Sequence, residues 1–130
     1  MNRSSILALA ALLACAPVLA QKLTNVRVSE RAGGPQKTTF KPDTPKVFVT
    51  ATQEAIPAGR KLRCDWIAVK TDVAPPNYRI DSWEGRSAAD SKELTCSFSK
   101  PTSGWPVGDY RVDLSIDGKD AGKATFRVAK

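Results

Sequence analysis

One stretch decides the fold: GDYRVDLSIDGKDAGKATFRV, residues 108–128. Its first half alternates between apolar and polar residues, which is the pattern of a β-strand with one buried face. Asp117-Gly118 then supplies a tight-turn pair, and a second alternating run follows it. The stretch therefore predicts a β-hairpin, with these side chains on its inward face: Tyr110, Val112, Leu114, Ile116, Ala124, Phe126 and Val128.

Upstream of this hairpin the same alternation recurs in five short runs, which cover residues 24–29, 46–52, 61–70, 78–84 and 93–99. Pro, Gly, Asp and Asn separate the runs, as is typical of antiparallel β structure. No segment after residue 20 repeats its apolar residues at helical spacing, so we expect little or no helix. Seven short strands at a spacing of about ten residues favour a β-sandwich over a closed barrel.

Two cysteines fall on the apolar faces of these predicted strands. Cys64 alternates with Leu62 and Trp66, and Cys96 lies in the run 93–99. In an exported chain such a pair predicts a disulfide, either between two sheets or between neighbouring strands on one inner face. A bond across 32 positions stabilises the fold by roughly 3–4 kcal/mol in the chain-entropy treatment. A redox-active thiol is disfavoured, because there is no Cys-x-x-Cys spacing.

The C-terminal hairpin resembles the final hairpin of bacterial immunoglobulin-like domains. The matching residues are Gly108 to Leu114, then 116–119, then 126–128, and the family commonly opens this hairpin with Gly-x-Tyr-x-Val. The resemblance implies an all-β, immunoglobulin-like antiparallel sandwich of about seven strands. It also implies a tyrosine corner at Tyr110, whose hydroxyl returns to nearby backbone. The cysteines lie on the third and fifth predicted strands, not on the second and sixth as in antibody domains, so the resemblance is a loose one.

The first twenty residues, MNRSSILALAALLACAPVLA, predict a secretory signal peptide. Arg3 supplies the positive start, an uncharged apolar run follows, and Val18 and Ala20 stand as small residues before a cut at Gln21. The apolar run is shorter than the roughly 20 residues that a membrane span needs. The predicted organisation is therefore a signal peptide over residues 1–20 and one domain over residues 21–130, exported to the periplasm or secreted by a bacterium.

A second processing route is open in the same segment. Residues 12–15, Leu-Leu-Ala-Cys, resemble a bacterial lipobox, in which Cys15 would become the lipidated first residue of the mature protein. Contact with a membrane would then come only through that lipid. Both routes lead to export, and neither leaves Cys15 for pairing within the fold.

Composition excludes several kinds of chemistry. The 130 residues include no histidine, and the only methionine is Met1. Catalysis by Ser-His-Asp or Cys-His, histidine metal sites and Met-lined copper sites are therefore absent. The carboxylates are scattered without a distinguishable pair, and no EF-hand or phosphate-loop pattern occurs. We expect a protein that is not an enzyme, with no catalytic residue, no cofactor and no metal.

Charge and exposed aromatic residues suggest what the domain binds. Without residues 1–20 the chain has 19 basic and 13 acidic residues, which favours an acidic envelope protein or an anionic envelope surface. Export argues against nucleic acid as a ligand. Trp83 is predicted on a polar strand face with Arg79 and Asp81, and Trp105 in a loop before Pro106. Exposed indoles stack on sugars or anchor protein interfaces, whereas covered ones would close the ends of the core.

The sequence therefore predicts an exported, non-enzymatic immunoglobulin-like module that binds a protein partner or the cell envelope. The candidate binding residues are Trp83, Trp105 and Arg79. The alternative is a glycan-binding module that uses Trp83 and Trp105 as its stacking platform.

Overall fold

The computed structural model describes residues 20–89 and 91–130. The lipidation candidate Cys15, and all of the predicted signal peptide except its last residue, lie outside the described residues. Within those ranges there is no helix of the length and hydropathy that crossing a membrane requires. The described residues form eight strands: β1 Lys22–Ser29, β2 Thr39–Phe40, β3 Lys46–Glu54, β4 Lys61–Thr71, β5 Tyr78–Arg86, β6 Glu93–Ser99, β7 Gly108–Ile116 and β8 Lys119–Val128.

The strands form two sheets, which confirms the all-β sandwich. One sheet has three strands in the order β1-β3-β6, and the other has five in the order β2-β8-β7-β4-β5. All neighbouring strands run antiparallel except β2, which pairs parallel with β8 through Thr39 and Phe40. The sequence predicted seven strands, and β2 is the additional one. Two residues are too few to show an alternating pattern.

The core lies between the two sheets and is filled from both. Phe126 stacks on Tyr110 with ring centroids 5.1 Å apart, and Trp66 lies 5.6 Å from Phe98 of the opposite sheet. Each fully buried large apolar side chain of this kind stabilises the fold by roughly 1.5–3 kcal/mol. The least exposed apolar side chains of the core are Val28, Phe40, Val47, Val49, Leu62, Trp66, Val112, Leu114 and Val128.

The disulfide joins the two sheets. Cys64 on β4 pairs with Cys96 on β6, and their Cα atoms are 6.9 Å apart. Of the two arrangements open from the sequence, the structure therefore has the bond between sheets. It also places β4 directly across the core from β6.

The C-terminal hairpin forms as the sequence predicts. Asp117 and Gly118 have φ angles of 49° and 82°, the positive values that a tight two-residue hairpin turn requires. The hydroxyl of Tyr110 donates a hydrogen bond to the carbonyl of Pro106, four residues upstream. This is the tyrosine corner that the resemblance implied. Burial raises the pKa of Tyr110 to about 12.

Candidate functional site

Strand β5 is the exposed edge of the five-stranded sheet. Seven of its nine residues are exposed, and only Ile80 and Gly85 are partly covered. Among the described residues β5 pairs with β4 alone, while the opposite sheet ends at β6. Because the disulfide sets β4 across from β6, β5 extends beyond the last strand of that sheet. The inner face of β5, meaning the face on the same side as the core, is therefore not covered by any strand of the described chain.

Trp83 lies on this inner face, at the middle of β5. It stands opposite Cys64 in the β4–β5 register, and 37% of its surface is exposed. An added Cβ at Gly85 would come within 2.6 Å of the indole, so the ring lies along the strand over that glycine. Trp83 is thus half-covered by its own strand and faces the open side of the sandwich.

The prediction that Trp83 and Arg79 share a polar face is wrong. The register between β4 and β5 shifts at Ile80, so that Asp81 stands opposite Trp66 but Arg79 stands opposite Ile67. This bulge breaks the simple alternation and sends Arg79 to the outer face of the sheet. Trp83 and Arg79 therefore lie on opposite faces and do not form one site.

At the other end of the inner face lies an open apolar groove of about 600 Å³. One wall comes from the β4–β5 hairpin and includes Val73, Tyr78 and Ile80. The other wall comes from the segment after β6 and includes Pro101 and Pro106. Val73 is 72% exposed and Tyr78 is 52% exposed. The sequence did not single out these two residues, since their exposure depends on how the β4–β5 hairpin packs in the folded domain.

Trp105 lies at the floor of this groove but is only 2% exposed. Its indole N–H donates a hydrogen bond of 2.9 Å to the carbonyl oxygen of Thr44, and its ring contacts Phe98, Tyr110 and Phe126 edge-on. Trp105 therefore closes one end of the core, which is one of the two roles that the sequence left open for it. Its use as an exposed stacking platform is wrong, because the ring faces are covered by other aromatic residues.

The outer face of the five-stranded sheet carries several ion pairs. Arg63 contacts Asp65 at 2.8 Å and Glu84 at 2.9 Å, and Arg111 contacts Asp113 at 2.7 Å. The hydrogen bond that the Arg63 guanidinium donates to the Asp65 carboxylate is the largest cause of the raised pKa of Arg63. Exposed pairs of this kind contribute about 0–1 kcal/mol each. Arg79 and Lys123 lie on the same face and form no ion pair with a described residue. Among the described residues no three Cys, Asp or Glu side chains converge as metal ligands.

Comparison with known proteins identifies the fold. No protein-family model matches the chain. No curated protein matches it in sequence. An immunoglobulin-like protein from Pseudomonas aeruginosa superposes over 85% of this chain and 98% of its own, with a TM-score of 0.57 and 13% identity. An alkylpurine DNA glycosylase from Pseudomonas fluorescens, solved with DNA containing an abasic site analogue, superposes with a TM-score of 0.52 and 12% identity. The match spans 85% of this chain but only 30% of that protein.

The protein is thus an immunoglobulin-like β-sandwich with one inter-sheet disulfide. Disulfides form and persist in oxidising compartments such as the extracellular space and the periplasm. The fold alone does not specify a ligand, so the function has to be argued from the exposed inner face of β5 and the groove beside it.

Proposed function

We propose that the protein is an exported, non-enzymatic module that binds a protein of the cell envelope through the inner face of β5 and the adjoining groove. One observation carries the proposal. Of the four exposed large hydrophobic side chains in the described chain, Val73, Tyr78 and Trp83 all lie on the β4–β5 hairpin, and the fourth, Val107, follows the groove residue Pro106. Exposed apolar residues clustered in this way mark interaction surfaces.

A protein partner agrees with this surface better than the other candidates. The glycan alternative requires two exposed indoles, but Trp105 is buried and leaves Trp83 alone to stack on a sugar. An anionic envelope surface would bind to the outer face, where Arg63 and Arg111 are paired with carboxylates while Arg79 and Lys123 form no ion pair with a described residue. The exposed apolar cluster on the β4–β5 hairpin would have no role in such binding. The groove instead offers aliphatic, proline and aromatic walls, which match apolar side chains of a protein.

In-cell photo-crosslinking tests the proposal. A photoreactive phenylalanine analogue at Tyr78 should give one dominant protein adduct when the full chain is expressed in its host, and Val73→Asp should remove that adduct. The matched control carries the analogue at Thr125, an exposed residue on the outer face of β8, and should give none. Equal adducts at both positions, or none at Tyr78, would overturn the proposed surface.

The glycan alternative has its own experiment. Peptidoglycan fragments or polysaccharides are titrated up to millimolar concentration while tryptophan fluorescence is recorded. We expect no change that depends on Trp83. A saturable change that disappears in Trp83→Ala would replace the protein partner with a sugar ligand.

Export and processing are tested together by the mass of the protein purified from the envelope fraction. Cleavage before Gln21 removes residues 1–20, whereas the lipobox route leaves Cys15 as a lipidated first residue. We propose the first of these forms. An uncut chain that still begins at Met1 in the cytoplasm would contradict export.

A further inference from the structure

Strand β6 has a regular and unpaired backbone edge. The N–H of Gln53 donates to the carbonyl of Lys92, and the N–H of Lys100 donates to the carbonyl of Pro45, each at 2.8 Å. Both bonds run toward β3, so the even-numbered residues of β6 direct their backbone groups to β3. The alternation of an antiparallel strand then directs the N–H and C=O groups of Thr95, Ser97 and Ser99 away from β3. In the part of the chain that the structure describes, no strand pairs with this edge.

Beside this edge lies a slot that is one strand wide. The bond between Cys64 and Cys96 places β4 across from β6, and β5 lies one strand further out than β4. Neighbouring strands are spaced by about 4.8 Å and packed sheets by about 10 Å. A strand added next to β6 would therefore lie above the inner face of β5, where the three-stranded sheet lacks a fourth strand.

The floor of the slot has a defined order of side chains. Trp83 pairs with Cys64, which is bonded to Cys96, so the backbone of Trp83 lies level with the middle of β6. From there the indole extends over Gly85, which pairs with Leu62. On the other side lies the exposed carboxylate of Asp81, which pairs with the inward-facing Trp66, and beyond it the bulged residue Ile80 packs against the core. An incoming strand would place its central inward side chain on the indole.

We propose that this slot receives a single extended β-strand from the partner protein, which pairs with β6 and packs alternate apolar side chains on Trp83 and Ile80. The inference rests on the proposed function and specifies how the partner is held. Backbone hydrogen bonds to Thr95, Ser97 and Ser99 give the strand its register, and the apolar floor selects its inward side chains.

Charge indicates what flanks the added strand. Lys92 and Lys100 stand just outside the two ends of β6, and both are exposed. Neither forms an ion pair with any described residue. An acidic residue at each end of the incoming strand would meet a lysine. The partner segment is therefore an extended stretch of about seven residues, apolar at alternate positions and bounded by Asp or Glu.

A second copy of this chain is a poorer occupant than a single strand. Two copies paired edge to edge at β6 would each place a β4 across the core from its own β6. The overhanging β5 of each copy would then occupy the space that the β4 of the other copy requires. A single strand has no second sheet beneath it and meets no such collision.

The test uses the mature, disulfide-bonded protein and fluorescent synthetic peptides. The probe alternates Val and Thr over seven residues between Asp residues. One control peptide has the same composition with its valines consecutive, and another has Lys in place of Asp. We expect the probe to bind at least tenfold more tightly than either control in fluorescence anisotropy. Saturating probe should also slow amide hydrogen exchange at Thr95, Ser97 and Ser99 at least tenfold.

A matched pair of variants isolates the backbone contact. Ser97→Pro removes an outward N–H without removing a hydrogen bond to β3, whereas Ser97→Ala keeps that N–H. We expect Ser97→Pro to weaken probe binding at least tenfold and Ser97→Ala to bind as the unmodified protein does. If circular dichroism shows that Ser97→Pro does not fold, a probe with alternate amides N-methylated replaces it and should lose binding.

Equal binding by both Ser97 variants, or by the N-methylated probe, would overturn strand addition. If the Tyr78 cross-link persists in that case, the proposed protein-binding surface stands and only the strand is wrong. If the cross-link is absent as well, both proposals fail. An equilibrium dimer whose formation protects the Thr95 and Ser97 amides would instead make a second copy the occupant and overturn the single-strand proposal.

Discussion

The indole of Trp83 lies over Gly85, two residues further along the same face of β5, where an added Cβ would come within 2.6 Å of its six-membered ring. The missing side chain at Gly85 leaves the space in which the ring lies along the strand. This contact explains why a tryptophan on an edge strand, with no strand opposite, is only 37% exposed. Because Gly85 pairs with Leu62, the ring extends from the level of Cys64 toward that of Leu62 along the uncovered face.

Gly85→Ala should therefore lift the Trp83 indole from the strand without unfolding the domain. Trp66 and Trp105 are each 2% exposed, so quenching of tryptophan fluorescence by acrylamide reports mainly on Trp83. We expect a higher quenching constant in Gly85→Ala than in the unmodified protein. The control Trp83→Phe should lose most of the quenchable emission. Unchanged quenching in Gly85→Ala would show that the ring does not depend on the glycine.

Trp105 gives a second prediction, on stability. Trp105→Ala should lower the free energy of unfolding by about 3–5 kcal/mol, since it removes a buried aromatic residue and leaves a cavity. Trp105→Phe keeps a ring but loses the hydrogen bond to the Thr44 carbonyl, which contributes about 0.5–1.5 kcal/mol. Urea unfolding measures both, with Trp83→Ala as the matched control on an exposed indole. A cost of Trp105→Ala no greater than that of Trp83→Ala would contradict its role in closing the core.

These two tryptophans show how far the sequence could predict the site. Local alternation is enough for a regular strand, and the predicted bounds of β6 agree with the observed Glu93–Ser99. The face of Arg79 relative to Trp83 depends on a bulge at Ile80, which has no signal in a period of two residues. The burial of Trp105 depends on Thr44, 61 residues away, and on three aromatic rings from other strands. Such contacts arise only when the sheets pack.

The same limit applies to the surface proposed for binding. Tyr78 is exposed on β5, whose inner face no strand of the described chain covers, and Val73 is exposed in the connection between β4 and β5. The sequence contains the short connection from β5 to β6, but it does not say which sheet each strand joins. The disulfide was predictable, since both cysteines face inward. That it joins two different sheets was not predictable, because the sequence does not show which strands share a sheet.

The disulfide supports a third prediction. Reduction, or the double change Cys64→Ser with Cys96→Ser, should lower the free energy of unfolding by about 3–4 kcal/mol, because the reduced unfolded chain gains the freedom of a loop of 32 positions. Urea unfolding with and without reductant measures the difference. The double variant should show no further effect of reductant. Two free thiols in the protein purified from its own compartment would contradict the bond.

Tyr110 provides a pH-dependent prediction. Burial raises its pKa from the ordinary value of 10.0 to about 12 in the folded protein. The unfolded chain therefore releases this proton at lower pH than the folded protein does, so the contribution to stability is present below pH 10 and is lost as the pH rises from 10 to 12. Two units of pKa correspond to about 2 to 3 kcal/mol.

The matched variant is Tyr110→Phe, which removes the ionisable hydroxyl and its hydrogen bond to the Pro106 carbonyl. At pH 7 this variant should be less stable than the unmodified protein by about 0.5–1.5 kcal/mol. Between pH 10 and 12 the difference should shrink and then reverse, because only the unmodified protein loses stability through Tyr110. Urea unfolding at a series of pH values measures both curves. If the two curves stay parallel through pH 12, the hydroxyl is not held protonated by the fold, and the tyrosine corner does not have the burial that the structure gives it.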